Sequence, residues 1–161
     1  MARTVTTMTR AAGTATFTKN VLANDTIIVG NQTYKWVATP GAANDLDLGS
    51  DLETSLDNLT LAVNGTGTPG ATTYYTGTLQ PGDITASNTT LISTFTADTP
   101  GTHGNNYILT EDTDSGAAYS ISAAFTGGAG DLQTFLDGIL SVNQVNSELH
   151  AELAILTLTV D

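Results

Sequence analysis

The chain has 161 residues, 40% of them hydrophobic, and a formal net charge of −12 at pH 7. This length is sufficient for one compact domain with a real core. No apolar run approaches the ~20 residues that a membrane-spanning helix needs, so we expect no membrane partner. The absence of cysteine excludes disulfides, thiol nucleophiles and thiolate metal sites.

Charge is distributed very unevenly along the chain. All four basic residues lie in the first 35 positions: Arg3, Arg10, Lys19 and Lys35. Residues 36–161 carry fifteen carboxylates and no Lys or Arg. Such an acidic body repels phosphate backbones, so nucleic acid is not an expected partner. A basic leader suits contact with an acidic protein neighbour, and an ordinary frayed terminus is the alternative.

The N-terminal third predicts an arm followed by strands. Residues 1–13, polar and Thr-rich, are expected to form an extended arm. Thr14–Thr18 alternates in the manner of a strand with threonine on one face. Thr26–Val29 and Thr33–Val37 are β-rich runs around a short Gly/Asn link, which predicts a β-hairpin.

The next segment changes to a helical period and predicts an amphipathic helix at about 51–64. Ser50 and Glu53 have the spacing of a capping box. Four apolar residues fall on one stripe of the helix: Leu52, Leu56, Leu59 and Val63. Asn64-Gly65 is typical of a helix end.

The remainder predicts further strands and a second, shorter helix. Residues 65–83 are expected to form a long loop, with a turn at 100–105. The strand candidates are 84–86, 90–96, 106–110 and 119–125. After a glycine-rich break at 127–130 come a short helix at about 131–140 and an apolar C-terminal strand at 149–160, which needs a partner.

These elements predict an α+β fold, an antiparallel β-rich domain with two helices. The expected organisation is an arm at 1–13, a β-rich core domain at 14–126, and a C-terminal helix–strand extension of the same domain at 127–161.

Parts of the chain resemble a Thr/Gly-rich structural module of tailed-bacteriophage virion proteins. Gly13–Thr18 and Asn24–Val37 resemble its Thr-Phe-Thr strand and its Gly-Asp-Thr, alternating Val/Ile, Gly-Gly-x-Thr-Tyr-x-Phe hairpin. Asn58–Asn64 resembles its Asn-Leu…Ala-x-Asn helix, and Gly101–Thr110 its Gly-x-x-Gly-Asn-x-Ile-x-Leu-Thr turn and strand.

The resemblance spans about residues 13–126, in the family's order. Asn24 stands where Gly is usual and Trp36 where Phe is usual, and residues 127–161 have no counterpart. The module occurs in head-decoration and tail-associated proteins alike and carries no catalytic residues. It therefore implies a virion component that is not an enzyme.

Several kinds of chemical site were considered. His103 and His150 lack an accompanying nucleophile, so no catalytic residue and no cofactor are expected. The helix-start position explains three of the five clustered carboxylates (Asp45, Asp47, Asp51, Glu53 and Asp57) without glycosidase chemistry. Asp112 and Asp114 match the opening of a calcium loop, but Ser122 stands where a bidentate Glu is needed, so an acidic turn is favoured.

We expect a non-enzymatic virion protein, first a head decoration (cement) protein bound to the capsid surface. Its expected partners are further copies of itself, with a trimer favoured, and the major capsid protein. The candidate contacts are Arg3, Arg10, Leu153, Ile155 and Leu158. The alternatives are a tail tube, baseplate or fibre component, and a carbohydrate-binding module that uses Trp36, Tyr74 and Tyr75, with a core position favoured for Trp36. A Thr-faced sheet with little charge suits packing against other subunits, or is simply a soluble strand surface.

Overall fold

A computed structural model of the chain describes residues 7–112, 119–121 and 125–130. Within them lie eight strands, one α-helix and one 3-10 helix. The strands are β1 (Ala12–Phe17), β2 (Thr26–Val29), β3 (Gln32–Val37), β4 (Asp45–Asp47), β5 (Ile84–Asn88), β6 (Ile92–Ala97), β7 (Leu109–Asp112) and β8 (Tyr119–Ile121). Helix α1 spans Leu52–Asn64, and the 3-10 helix spans Thr102–Asn106. The α+β class is confirmed.

The described strands form two four-stranded sheets. Sheet I has the order β5-β6-β1-β8, and sheet II has the order β4-β3-β2-β7. Every pairing is antiparallel except that of β3 with β4, which is parallel. Strand β4 was not predicted, because two of its three residues are aspartates and its extended conformation depends on pairing with β3.

The predicted hairpin is confirmed as β2–β3. Val29 pairs with Gln32, so the connection is the two-residue loop Gly30–Asn31. Gly30 has φ +61°, a left-handed conformation that glycine adopts at no steric cost. The turn therefore explains why the sequence places glycine at this position.

Helix α1 forms where it was predicted, but its N-cap is Asp51 rather than Ser50. Asp51 is extended, at φ −151° and ψ 175°, and its Oδ1 accepts hydrogen bonds from the Thr54 backbone N–H (2.9 Å) and hydroxyl (2.8 Å). The predicted capping box is therefore wrong. The N-cap lies one residue later, because the Asp51 carboxylate satisfies the free amide of the first turn. Gly65, at φ 61°, ends the helix as predicted.

Asparagine side chains fasten α1 to both sheets. Asn58 Nδ2 donates to the carbonyl of Asp47 in sheet II (3.1 Å). Asn64 Nδ2 donates to the Ala86 carbonyl (2.9 Å), and its Oδ1 accepts from the Ala86 N–H (2.7 Å). Since β5 is an edge strand, Asn64 occupies the place that a neighbouring strand would take.

The described residues share one hydrophobic core that includes side chains from both sheets and from α1. Its largest fully buried side chains are Trp36, Tyr34, Phe17, Phe95 and Phe125. On the predicted stripe of α1, Leu56, Leu59 and Val63 are buried and Leu52 is half-buried. The helical period read from the sequence therefore identified the packed face.

The chain joins the fold before residue 13. The Thr9 N–H donates to the Ala129 carbonyl (2.9 Å), and the Thr9 carbonyl accepts from the Gly101 N–H (2.8 Å). Ala11 is fully buried, and β1 begins at Ala12. The boundary predicted at residue 13 therefore lies inside the folded domain, because residues 9–12 pair with a segment more than 110 positions away. The predicted helix at 131–140 and strand at 149–160 lie outside the described residues.

Candidate interaction surfaces

The outer face of sheet I is mostly threonine and serine, with one alanine and one isoleucine. Alternate residues of its strands point away from the core and stand opposite one another in three rows. The rows are Thr85–Thr96–Ala12, Ser87–Thr94–Thr14 and Ile92–Thr16–Ser120. All nine residues are exposed or half-buried, and none is charged. We call this surface the threonine face.

The threonine face has the properties of a packing surface. Threonine is stiff at χ1, so little side-chain entropy is lost when a neighbour immobilises it. Its hydroxyls can donate and accept hydrogen bonds with either a protein or water. The predicted alternation of Thr14, Thr16 and Thr18 is confirmed, since all three are exposed.

A cleft of about 360 Å³ lies where three separate segments meet. The β2–β3 turn contributes Gly30 and Asn31, and the end of the long loop contributes Pro81, Gly82 and Asp83. The 3-10 helix and the residues after it contribute His103, Asn106, Tyr107 and Ile108. A cavity of this volume is at the lower end of the range for small-ligand pockets.

Aromatic rings and carboxylates determine the character of this cleft. The His103 ring meets Tyr107 edge-on with centroids 5.6 Å apart, and Tyr107 meets Phe125 in the same way at 5.7 Å. Burial raises the pKa of Tyr107, and the negative charges of Asp83 and Asp98 raise it further. Negative potential thus extends from these carboxylates to the Tyr107 hydroxyl.

The clustered carboxylates have structural roles. Four accept hydrogen bonds within the fold: Asp45, Asp47, Asp51 and Asp57. Asp45 is buried; its Oδ2 accepts from the N–H groups of Gly41 (3.1 Å) and Ala42 (2.9 Å), and its Oδ1 lies 3.5 Å from Lys35 Nζ. These bonds give four of the five carboxylates a structural role; the fifth, Glu53, lies in the first turn of α1, where the helix dipole favours negative charge.

Two of the three rings considered for sugar stacking are in the core. Trp36 is fully buried, and its Nε1 donates to the Ser55 carbonyl (3.2 Å). Tyr74 is 4% exposed, and its hydroxyl donates to the Thr66 carbonyl (2.9 Å). Only Tyr75, at 38%, is exposed. The core position favoured for Trp36 is confirmed, and the prediction that Tyr74 is displayed is wrong, because its ring packs against the core.

The acidic segment considered as a calcium loop begins inside a strand. Asp112 belongs to β7, where it pairs with Thr26 of β2, and Asp114 lies outside the described residues. Among the residues that the structure describes, no three His, Asp or Glu side chains are placed to share a metal ion. His103 is exposed at the rim of the cleft, and His150 lies outside the described part of the chain.

Of the predicted partner contacts, the structure describes one. Arg10 is exposed, between the paired Thr9 and the buried Ala11. The other four, Arg3, Leu153, Ile155 and Leu158, lie outside the described residues. Sequence reasoning missed the cleft, although Pro81-Gly82 and Gly30-Asn31 already indicated turns there, because nothing local shows that two turns meet.

In the described part of the chain, no helix is long and apolar enough to cross a bilayer. Comparisons of the chain with protein-family models, curated protein sequences and solved structures found no match.

Proposed function

We propose that this protein is a non-enzymatic structural component of a tailed-phage particle, a head decoration protein that binds the capsid surface and further copies of itself. The observation that carries the proposal is the threonine face, nine outward-facing residues without a charge on a chain of net charge −12. Two acidic surfaces repel each other as they approach, whereas an uncharged face is not repelled in this way.

The resemblance to phage structural modules supports the proposal from a second direction. Its helix and turn motifs contain asparagines that fasten segments of the fold together: Asn58, Asn64 and Asn105. Asn105 Nδ2 donates to the Gly128 carbonyl (2.9 Å), and its Oδ1 accepts from the Gly128 N–H (3.0 Å). The resembling residues thus have definite architectural roles, as expected of a scaffold.

The proposal is tested by the binding of purified protein to capsids that lack their decoration. Thr14→Lys places a charge in the threonine face, and Thr33→Lys makes the same change at an exposed strand position of sheet II. We expect Thr14→Lys to lower capsid occupancy at least tenfold and Thr33→Lys to leave it within about twofold, since burying an unpaired charge costs more than ~1.4 kcal/mol. Failure of the wild-type chain to bind, or equal effects of the two variants, would overturn the proposal.

A further inference from the structure

The cleft next to the 3-10 helix has a charged character that the proposed function does not use. Asp83 is its one lining carboxylate, and the Asp98 N–H donates to the Asp83 carbonyl (2.8 Å), which holds the two acidic residues close together. The walls are a tyrosine and a histidine ring, with Ile108 exposed at 51%. A carboxylate beside aromatic rings is the environment that an arginine side chain prefers, because a guanidinium pairs with the acid and stacks on the ring.

The N-terminal end of the described chain lies beside this cleft. The Thr9 carbonyl accepts a hydrogen bond from the Gly101 N–H. The Met8 Cε atom lies 3.7 Å from the position that a β-carbon would occupy on Gly101. His103, in the wall of the cleft, is two residues further along the chain. Arg3 lies six positions before Thr9, and an extended chain of six residues spans up to about 20 Å. Arg3 is therefore within reach of the cleft.

We propose that the cleft is a binding site for an arginine side chain and that its occupant is Arg3 of the chain's own leader, residues 1–6. The positive charge of the leader complements Asp83 and Asp98, and the short tether gives the leader a millimolar effective concentration at the cleft. This assignment gives Arg3 a partner within the chain. Arg10 is exposed and therefore remains the candidate contact with a neighbouring subunit.

The absence of cysteine allows a direct test by disulfide trapping in the full-length chain. Ala2→Cys labels the leader and keeps Arg3, while Asn106→Cys labels the cleft. The matched control is Ala2→Cys with Thr99→Cys. Thr99 is exposed and lies two residues before Gly101, on the side away from the cleft in sequence, whereas His103 lies two residues after Gly101. We expect the Asn106 pair to form an intramolecular disulfide about tenfold faster than the Thr99 pair.

Asp83→Asn in the Asn106 pair tests the charge. Asparagine tolerates the left-handed backbone of Asp83 (φ 50°), so the variant keeps the turn and loses only the negative charge. The trapping rate should fall about three- to fivefold, as is usual for an exposed ion pair. Equal rates for the two cysteine pairs, or no effect of Asp83→Asn, would overturn the assignment. A disulfide-linked dimer as the main product would identify a second copy's leader as the occupant and would also overturn it.

Discussion

The side chain of Asn64 pairs with the backbone of Ala86 as a neighbouring strand would. Its Nδ2 donates to the Ala86 carbonyl (2.9 Å), and its Oδ1 accepts from the Ala86 N–H (2.7 Å). Ala86 lies in β5, an edge of sheet I. A helix side chain therefore satisfies backbone groups that would otherwise offer a template for another chain. At the opposite sheet's edge, the Asp47 N–H donates to Thr73 and the Tyr75 N–H donates to Asp45, so the long loop covers β4.

Asn64→Ala should destabilise the fold, because it leaves the N–H and carbonyl of Ala86 without their partner. We expect a loss of about 1–3 kcal/mol in the free energy of unfolding. Urea unfolding followed by the fluorescence of the single, buried Trp36 measures it. Asn31→Ala, the same change at an exposed turn, is the control and should cost less than about 0.5 kcal/mol. Equal losses in both variants would show that the Ala86 pairing is not stabilising.

Gly104→Ala should also destabilise, for a steric reason. A β-carbon at Gly104 would lie 2.7 Å from the Ala97 β-carbon and 3.0 Å from that of Ala11, both buried. Overpacking of this kind costs about 1–3 kcal/mol, visible as a lower urea midpoint. Gly41→Ala is the control, since a β-carbon there meets no atom within 4 Å. A Gly104→Ala midpoint equal to that of Gly41→Ala would contradict the packing described for the 3-10 helix.

Asp51 should contribute to stability in a pH-dependent way. Hydrogen bonds from the Thr54 N–H and hydroxyl lower the pKa of Asp51 below its ordinary value of 3.8. A carboxyl whose pKa is lower in the folded state stabilises the fold above its unfolded pKa and loses that contribution as the pH falls through the folded value. Asp51→Asn keeps a capping side chain but does not titrate, so its stability should fall less than that of wild type as the pH is lowered below about 4.

The measurement is the thermal midpoint at intervals across that pH range. Ser50→Ala is the comparison, because Ser50 is not the N-cap and its hydroxyl makes the longest of the three hydrogen bonds to the Asp51 carboxylate (3.3 Å), so its curve should stay close to that of wild type. If Ser50→Ala changed the midpoint as much as Asp51→Ala at pH 7, the cap would be assigned to the wrong residue.

The two ends of the predicted arm should respond differently to truncation. Removal of residues 1–6 leaves the pairing of Thr9 with Ala129 and of Ala12 with Thr126 in place. Removal of residues 1–12 deletes both pairings and the buried Ala11. We expect circular dichroism to show at most a slightly lower thermal midpoint for the first variant, which loses only the exposed ion pair proposed for Arg3, and loss of the cooperative transition for the second. A folded second variant would mean that the contacts of residues 9–12 contribute little.

Local signals explain what the sequence could predict. The helical stripe from Leu52 to Val63 and the β2–β3 hairpin depend on neighbours in the chain, and both were predicted with nearly the right bounds. Strand β4 was missed because Asp45 and Asp47 disfavour strand, and only pairing with β3 makes the segment extended. The N-cap was misplaced because serine and aspartate both cap helices and stand side by side at Ser50 and Asp51.

Long-range contacts explain what the sequence could not predict. Strand β1 pairs with β6, about eighty positions later, and nothing in either strand specifies the other. The same holds for the cleft, which unites residues 30–31, 81–83 and 103–108. The sequence predicted only part of the threonine face. Alternation placed Thr14 and Thr16 on one side of β1, but the contributions of β5 and β6 are known only from the order of the strands in the sheet.

The proposal that this chain is a structural component of a phage particle is tested most directly by quantitative mass spectrometry of purified tailed-phage particles whose genome carries its coding sequence. A head decoration protein predicts a copy number comparable to that of the major capsid protein. Far fewer copies would instead assign the chain to the tail. Its absence from intact, washed particles would contradict the account.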